Sequence, residues 1–304
     1  MKAMKNNNHN YRYLFMLVML VLPSVTRAQL APMGSIYFQN QYLNNPAFAG
    51  LEGGLNINAG YRQQWSNFPG SPKIQVVTAD YAPTERVGLG ITLNNEQAGL
   101  FKRTRVIGSY AYHLPLNSEG NKLSFGASFG MLDERVDFSR YDGDPGDNAV
   151  KNFNQRGQYL DGDFGIAYTS GSLNIQGSLP NLRNTFGFDN NVGQEVNDPR
   201  LFVAASYRFD LPESWDASLE PKVAYRLVKG FDDIMDVGGN LAFANGKVGL
   251  MAMYHSSKAT SFGFSSQLSR TFNLMGFYTT NTAALAGQSN GNFELNLRIS
   301  LFDK

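Results

Sequence analysis

The chain contains no cysteine. That absence excludes disulfides, thiolate zinc sites, cysteine nucleophiles and the lipid-modified cysteine of a lipoprotein, while leaving the redox compartment open. Histidine is scarce, at three residues, so chemistry that titrates near neutral pH would draw on very few side chains. Past residue 22 no window offers the roughly 18 uninterrupted apolar residues of a membrane helix. Charge is sparse too, at 17 % of residues, and nothing in the composition reads as disordered.

What is present begins with a three-part leader. Lys2, Lys5 and Arg12 precede an apolar run from Tyr13 to Leu22, Pro23 breaks any helix, and Thr26-Arg27-Ala28 forms a small-x-small cleavage site. An apolar core of about ten residues is too short to span a bilayer, so residues 1–28 read as a secretory signal peptide cleaved after Ala28. Its loss removes four basic residues and no acidic one, so 26 − 4 = 22 basic residues face 25 acidic ones. A nucleic-acid partner normally demands a basic surface, and that class is set aside.

From residue 53 onward, segments of about ten residues alternate apolar with small or polar side chains, as lipid-facing and lumen-facing positions alternate in a transmembrane barrel. Val87, Leu89, Ile91 and Leu93 oppose Gly88, Gly90, Thr92 and Asn94. Leu123, Phe125, Ala127, Phe129 and Met131 oppose Ser124, Gly126, Ser128 and Gly130. Trp215, Ala217, Leu219, Val223, Tyr225 and Leu227 are set against Asp216, Ser218, Glu220, Lys222 and Arg226, a face too charged for a soluble sandwich core.

Such segments number fourteen, near 53–65, 74–82, 87–94, 104–114, 122–132, 159–169 and 172–179, then 200–209, 215–227, 234–244, 247–255, 261–269, 272–280 and 291–302. An even count puts both ends of the barrel in the periplasm. Even-numbered connections should then be short inner turns, and they are, Asn245-Gly246 among them, a type I′ hairpin signal. The longest connections, near 133–158 and 180–199, are odd-numbered, as outward loops should be. Tyr61, Trp65, Tyr81, Tyr110, Tyr112, Tyr168, Tyr207, Phe209, Trp215 and Tyr225 sit near strand ends or on the apolar face, as interface girdles do.

Between the leader and the first strand lies YFQNQYLNNPAFAG, residues 37–50, without sustained alternation. With its Asn45, Pro46, Ala47, Phe48, Ala49 and Gly50, this stretch resembles the N-terminal hallmark of the PorP/SprF family. YRQQW at 61–65 and PGSPK at 69–73, which includes Pro72, resemble the family's next strand and loop. VGLG at 87, SYAYHLPL at 109, LSFGASFG at 123, SLNIQGSLPNL at 172 and FELNLRISLF at 293 follow in family order. The resemblance covers essentially the whole mature chain. It implies an outer-membrane barrel of the type IX secretion system in a Gram-negative bacterium. Implied partners are secreted surface proteins, such as gliding adhesins with a type B C-terminal sorting domain, and a periplasmic peptidoglycan-associated protein.

The expected organisation is therefore a signal peptide over 1–28, a periplasmic or lumen-plugging segment over 29–52 and an all-β antiparallel barrel over 53–304, bathed in outer-membrane lipid. Arg62 and Gln64 share the polar face of the first strand, and with Trp65 they are candidate contacts for the segment at 37–50. The lumenal faces are expected to carry Arg105, His113, Asp161, Asp163, Arg208, Glu220, Lys222, Arg226, Asp236, Glu294 and Arg298, mixed in sign and paired across strands. Glycines inside strands serve curvature or close approach of a plug, not phosphate binding.

Only His113 and His255 outlast leader removal, and neither has a nucleophile motif beside it in the sequence, so no enzyme and no cofactor is expected. Asp142, Asp144 and Asp147 form a weak Ca²⁺ candidate, since their spacing departs from an EF-hand loop and Pro145 stiffens it. The expected role is to retain or present a secreted surface protein while linking to periplasmic machinery. The alternative is a passive or substrate-selective porin.

Overall fold

The computed structural model describes residues 35–67, 69–137, 152, 154, 158–186, 199–228, 232–280 and 290–302. Within them fourteen strands form one closed antiparallel barrel. They are β1 (Leu55–Gln64), β2 (Lys73–Thr84), β3 (Val87–Ala98), β4 (Phe101–Pro115), β5 (Lys122–Val136), β6 (Gln158–Thr169) and β7 (Leu173–Leu179). The second half comprises β8 (Pro199–Tyr207, resumed at Phe209–Asp210), β9 (Ala217–Val228), β10 (Ile234–Phe243), β11 (Val248–His255), β12 (Thr260–Gln267), β13 (Phe272–Thr279) and β14 (Asn292–Leu301). Each strand pairs with its sequence neighbours, and β1 closes the cylinder on β14 in register from Leu55↔Leu301 to Gln64↔Asn292. Closure leaves no unpaired strand edge, the condition for crossing hydrocarbon with strands. No helix among the described residues is long and apolar enough to cross a membrane.

The period-two pattern dictates which side chains go where. Leu89, Ile91 and Leu93 point outward and are exposed, whereas Gly88 and Thr92 are buried within. The even-numbered connections are short throughout, while the odd-numbered ones include the longest, 137–157 and 180–198. We therefore label the even end inner and the odd end outer.

Two details depart from the expected strands. Trp215 does not open β9: it ends a 3₁₀ turn (Glu213–Trp215) and is 68 % exposed at the inner rim. Arg208 is not lumenal. It sits at the break in β8, donates its backbone N–H to the Ser172 carbonyl at 2.9 Å, and its exposed guanidinium lies 3.6 Å from Asp210. A strand interrupted by one residue loses its alternation there, so the parity that placed Arg208 inside no longer applies.

Residues 35–52 occupy the lumen. They form three 3₁₀ turns, Ser35–Phe38, Gln41–Leu43 and Pro46–Phe48, of which Asn40 and Asn45 cap the latter two by accepting from Leu43 N–H and Ala47 N–H. Pro46 at the first turn position fits because its missing N–H would be unpaired there anyway. The segment runs diagonally: Ser35 lies by the outer ends of β12 and β13, and Gly50 by the inner end of β2. The apolar side chains divide accordingly. Ile36 and Tyr37 pack with Phe202, Met251, Met253, Met275 and Phe277 on one wall, and Tyr42, Ala47, Phe48 and Ala49 pack with Ala111 and Ala167 on the other.

Candidate functional site

The lumenal segment is seated on the β2–β7 wall by the absence of side chains. A Cβ on Gly88 would lie 1.8 Å from the Ala49 carbonyl oxygen, and one on Gly126 would lie 2.2 Å from the Pro46 carbonyl carbon. Gly90 and Gly165 clear space in the same way for the Tyr42 ring and the Asn45 amide. Only glycine lets two backbones approach this closely, so these positions form a mould for residues 42–50.

Polar bonds then fix the register of the segment. Asn45 is fully buried: its Oδ1 accepts from Ala47 N–H, and its Nδ2 donates to the carbonyls of Ile166 (3.2 Å) and Gly177 (3.3 Å). Tyr42 donates to Ser109, Asn40 to Thr78, and Ser178 to the Asn44 carbonyl at 2.7 Å. At the inner end His113 Nε2 bonds the Ala49 carbonyl at 3.0 Å while Nδ1 faces Ser124 at 2.9 Å. A carbonyl only accepts, so the proton resides on Nε2. Gly50, at φ +67°, donates its N–H to Asp80 at 3.0 Å, and Glu52 pairs with Arg298.

The outer end is held instead by side chains. Asp236, 1 % exposed, accepts two bonds from Arg226 (2.8 and 2.7 Å), one from Tyr37 (2.8 Å) and one from His255 Nδ1 (2.6 Å). Burial, and then the facing Asp236 carboxylate, push the Tyr37 phenol well above its usual range and keep it a donor. His255 Nε2 lies 2.7 Å from Ser261, whose oxygen also accepts from Ser35 at 2.7 Å. Ile36 N–H donates to Glu294 at 3.1 Å, and Glu294 lies 3.4 Å from Arg62. On the opposite outer wall, Arg105 is clamped between Asp161 and Asp163 at 2.9 and 2.7 Å. The same carboxylates accept the N–H groups of Asn181 and Arg183, which pins the short helix α1 (Leu182–Phe186) over that side.

The residues singled out from the sequence therefore fall in two groups. Asn45, Pro46, Ala47, Phe48 and Gly50 are the seated part of the segment. Arg62 and Gln64 are buried at the outer end of β1, where Arg62 lies 3.4 Å from Glu294, the acceptor of the Ile36 N–H. Trp65, at φ 48°, and Pro72 lie in the outer β1–β2 connection, joined there by the Gln64 N–H bond to the Pro72 carbonyl. Asp142, Asp144 and Asp147 lie outside the described residues; among those described, no group of three or more His, Cys, Asp or Glu could hold a metal.

Sequence reasoning missed Ser261 as the partner of His255. The two face each other across the tight β11–β12 turn, and only strand register reveals that. Ser261, His255 and Asp236 stand in a serine–histidine–aspartate order. However, the neighbouring strand amides are committed to the sheet ladder, and Asp236 is already neutralised by Arg226.

A closed fourteen-strand barrel with apolar residues outward and a segment of its own chain seated within is the architecture of an outer-membrane protein. The family described as type IX secretion system membrane protein PorP/SprF matches residues 26–299, and the chain belongs to it. It is thus an outer-membrane barrel of a Gram-negative type IX secretion system. Among solved structures it resembles the Ralstonia pickettii toluene transporter TbuX, with a TM-score of 0.52, 12 % identity and coverage of 91 % of this chain and 96 % of that one. It also resembles the CymD monoaromatic hydrocarbon channel, with a TM-score of 0.50, 11 % identity and coverage of 94 % and 97 %. At such identities the likeness concerns the fold alone. No curated protein matches the sequence.

Proposed function

We propose that this barrel retains or presents a secreted surface protein carrying a type B C-terminal sorting domain, of the gliding-adhesin kind, and ties it to periplasmic envelope machinery. The observation that carries the reading is the lumen itself. A segment hydrogen-bonded to opposite walls, with glycines cleared to receive it, is built to stay and leaves a rigid scaffold whose ends can dock partners. A conducting pore would need that path open, which makes the porin reading the weaker one.

The role is one of binding and not of catalysis. Ser261 is 2 % exposed and shares its oxygen with Ser35 and Thr279, so a reacting carbonyl has no room beside it and no oxyanion donor. Deleting the gene should strip type B cargo from the cell surface or weaken its attachment, read by surface proteomics of intact cells. Cargo present in normal amounts and normally attached would sink the proposal. Purified wild type in planar bilayers should show no large steady current, and a large one would favour the porin.

A further inference from the structure

The outside of the barrel carries a groove that the lumenal segment does not touch. It measures about 520 Å³ and lies across the outer half of β12, β13, β14 and β1. Strand alternation sets two rows of side chains on this lipid-facing surface. The row nearer the outer end pairs Phe262 with Tyr278 and Tyr278 with Phe293. The next row runs from Phe264 through Gly276 and Leu295 to Tyr61.

Glycines part the two rows. A Cβ on Gly276 would lie 2.6 Å from the Phe264 ring, which therefore lies down over Gly276. A Cβ on Gly291 would lie 2.8 Å from the Tyr278 ring, which leans the other way, toward the outer end, with the Phe293 ring 5.0 Å from it. Side chains on one face of a strand are spaced about 6.8 Å apart, and the two tilted rings keep that gap open. A single polymethylene chain fits such a slot, whereas a helix, about 10 Å across, does not. An added strand is unsuited too, because the backbone groups of these strands are committed to their own ladders and its amides would stay unpaired in hydrocarbon.

At the β1 end the same face turns polar and positive. Gln63 pairs with Phe293 on one side and with the exposed Lys73 of β2 on the other. The Tyr61 hydroxyl donates to Gln63 Oε1 at 3.2 Å, and Lys73 is its diagonal neighbour, within reach of a long side chain. The carboxylates of the adjoining strands, Glu294 and Glu96, occupy lumenal positions and leave this face without a negative charge.

We infer that this groove binds a phosphorylated, acylated glycolipid of the outer leaflet. One acyl chain lies between the two rows, and the anionic head group meets Lys73, with Gln63 and Tyr61 beside it. The inference needs only the barrel's place in the outer membrane and is independent of the cargo reading. The test is native mass spectrometry of the purified full-length chain in mild detergent, titrated with monophosphoryl lipid A and, in parallel, with phosphatidylethanolamine.

The expected result is one lipid A molecule per barrel, bound more tightly than phosphatidylethanolamine. Gly276→Leu, which fills the groove, should raise the apparent Kd for lipid A at least about tenfold. Lys73→Gln should raise it about tenfold through loss of one charge-assisted contact, and should leave phosphatidylethanolamine unchanged. Leu160→Trp, on the exposed face of β6 across the barrel, should alter neither. Heat-modifiable mobility on gels identifies barrels that have folded, and Leu295→Trp, at an exposed position in the groove, replaces Gly276→Leu if that variant fails the check. Equal binding of both lipids, or lipid A binding that survives the groove variant or Lys73→Gln unchanged, overturns the site.

Discussion

On the β2–β7 wall the lumenal segment presses on bare backbone at Gly88, Gly90, Gly126 and Gly165 beside polar side chains such as Thr78 and Ser109, whereas on the β9–β14 wall it meets a side-chain network at Asp236, Ser261, Thr279 and Glu294. The first wall specifies its guest by shape, and an added carbon collides with the segment's main chain at Gly88 and Gly126 and with its side chains at Gly90 and Gly165. The second specifies it by a charged network whose members depend on one another. A steric seat fails gradually as neighbours shift, while a buried ionic network fails steeply when one partner is lost. The same guest is therefore locked in two different currencies, and each half can be probed separately.

The largest effect is expected on the charged side. Asp236→Ala leaves Arg226 buried without its carboxylate and removes the partner of Tyr37 and His255, at a cost of about 3–5 kcal/mol. Thermal unfolding in detergent should show it, and a loss below about 1 kcal/mol would mean that the network does not hold the outer end. Gly126→Val comes next, at about 3 kcal/mol, because the added carbons meet the Pro46–Ala47 backbone. Protease should then cut within residues 40–50, and single-channel currents should appear.

Smaller effects refine the contrast. Asn45→Ala removes one turn cap and the bonds to two wall carbonyls, and should cost about 1–2 kcal/mol. Cleavage within 40–50 should rise while the Tyr37 end stays protected, as read by hydrogen exchange. A uniform rise along 35–50 would show that the two ends are not independently held. Arg208→Ala should change stability by less than about 0.5 kcal/mol, since its pairing with Asp210 is exposed at the inner rim. A larger loss by the same unfolding assay would place Arg208 within the lumenal network after all.

Much of the barrel was legible because strand alternation is local. Leu89, Ile91 and Leu93 against Gly88, Gly90 and Thr92 fix inside and outside without any knowledge of neighbours. Connection lengths fix polarity for the same reason. The reading failed where a local irregularity breaks parity, as at Arg208 and Trp215. The site was legible only as two unconnected clues, an Asn-Pro-Ala-Phe segment without alternation and glycines at lumenal positions. Their match, Gly126 beneath Pro46 and Gly165 beneath Asn45, depends on tertiary placement. The His255–Ser261 pair depends on register, and the plug's Tyr37 finds Asp236 across 199 residues of chain.

That separation bears on how the molecule is made. Ile36 meets Glu294 across 258 residues, so the outer half of the segment lacks its full set of partners until the last strand exists. The inner half can settle on β2–β7 as soon as those hairpins pair. Contacts this remote form slowly, because the chain between must be ordered first. The β1–β14 pairing and the Ile36–Glu294 bond both depend on the same last strand. The seam of the wall and the stopper of the lumen close together.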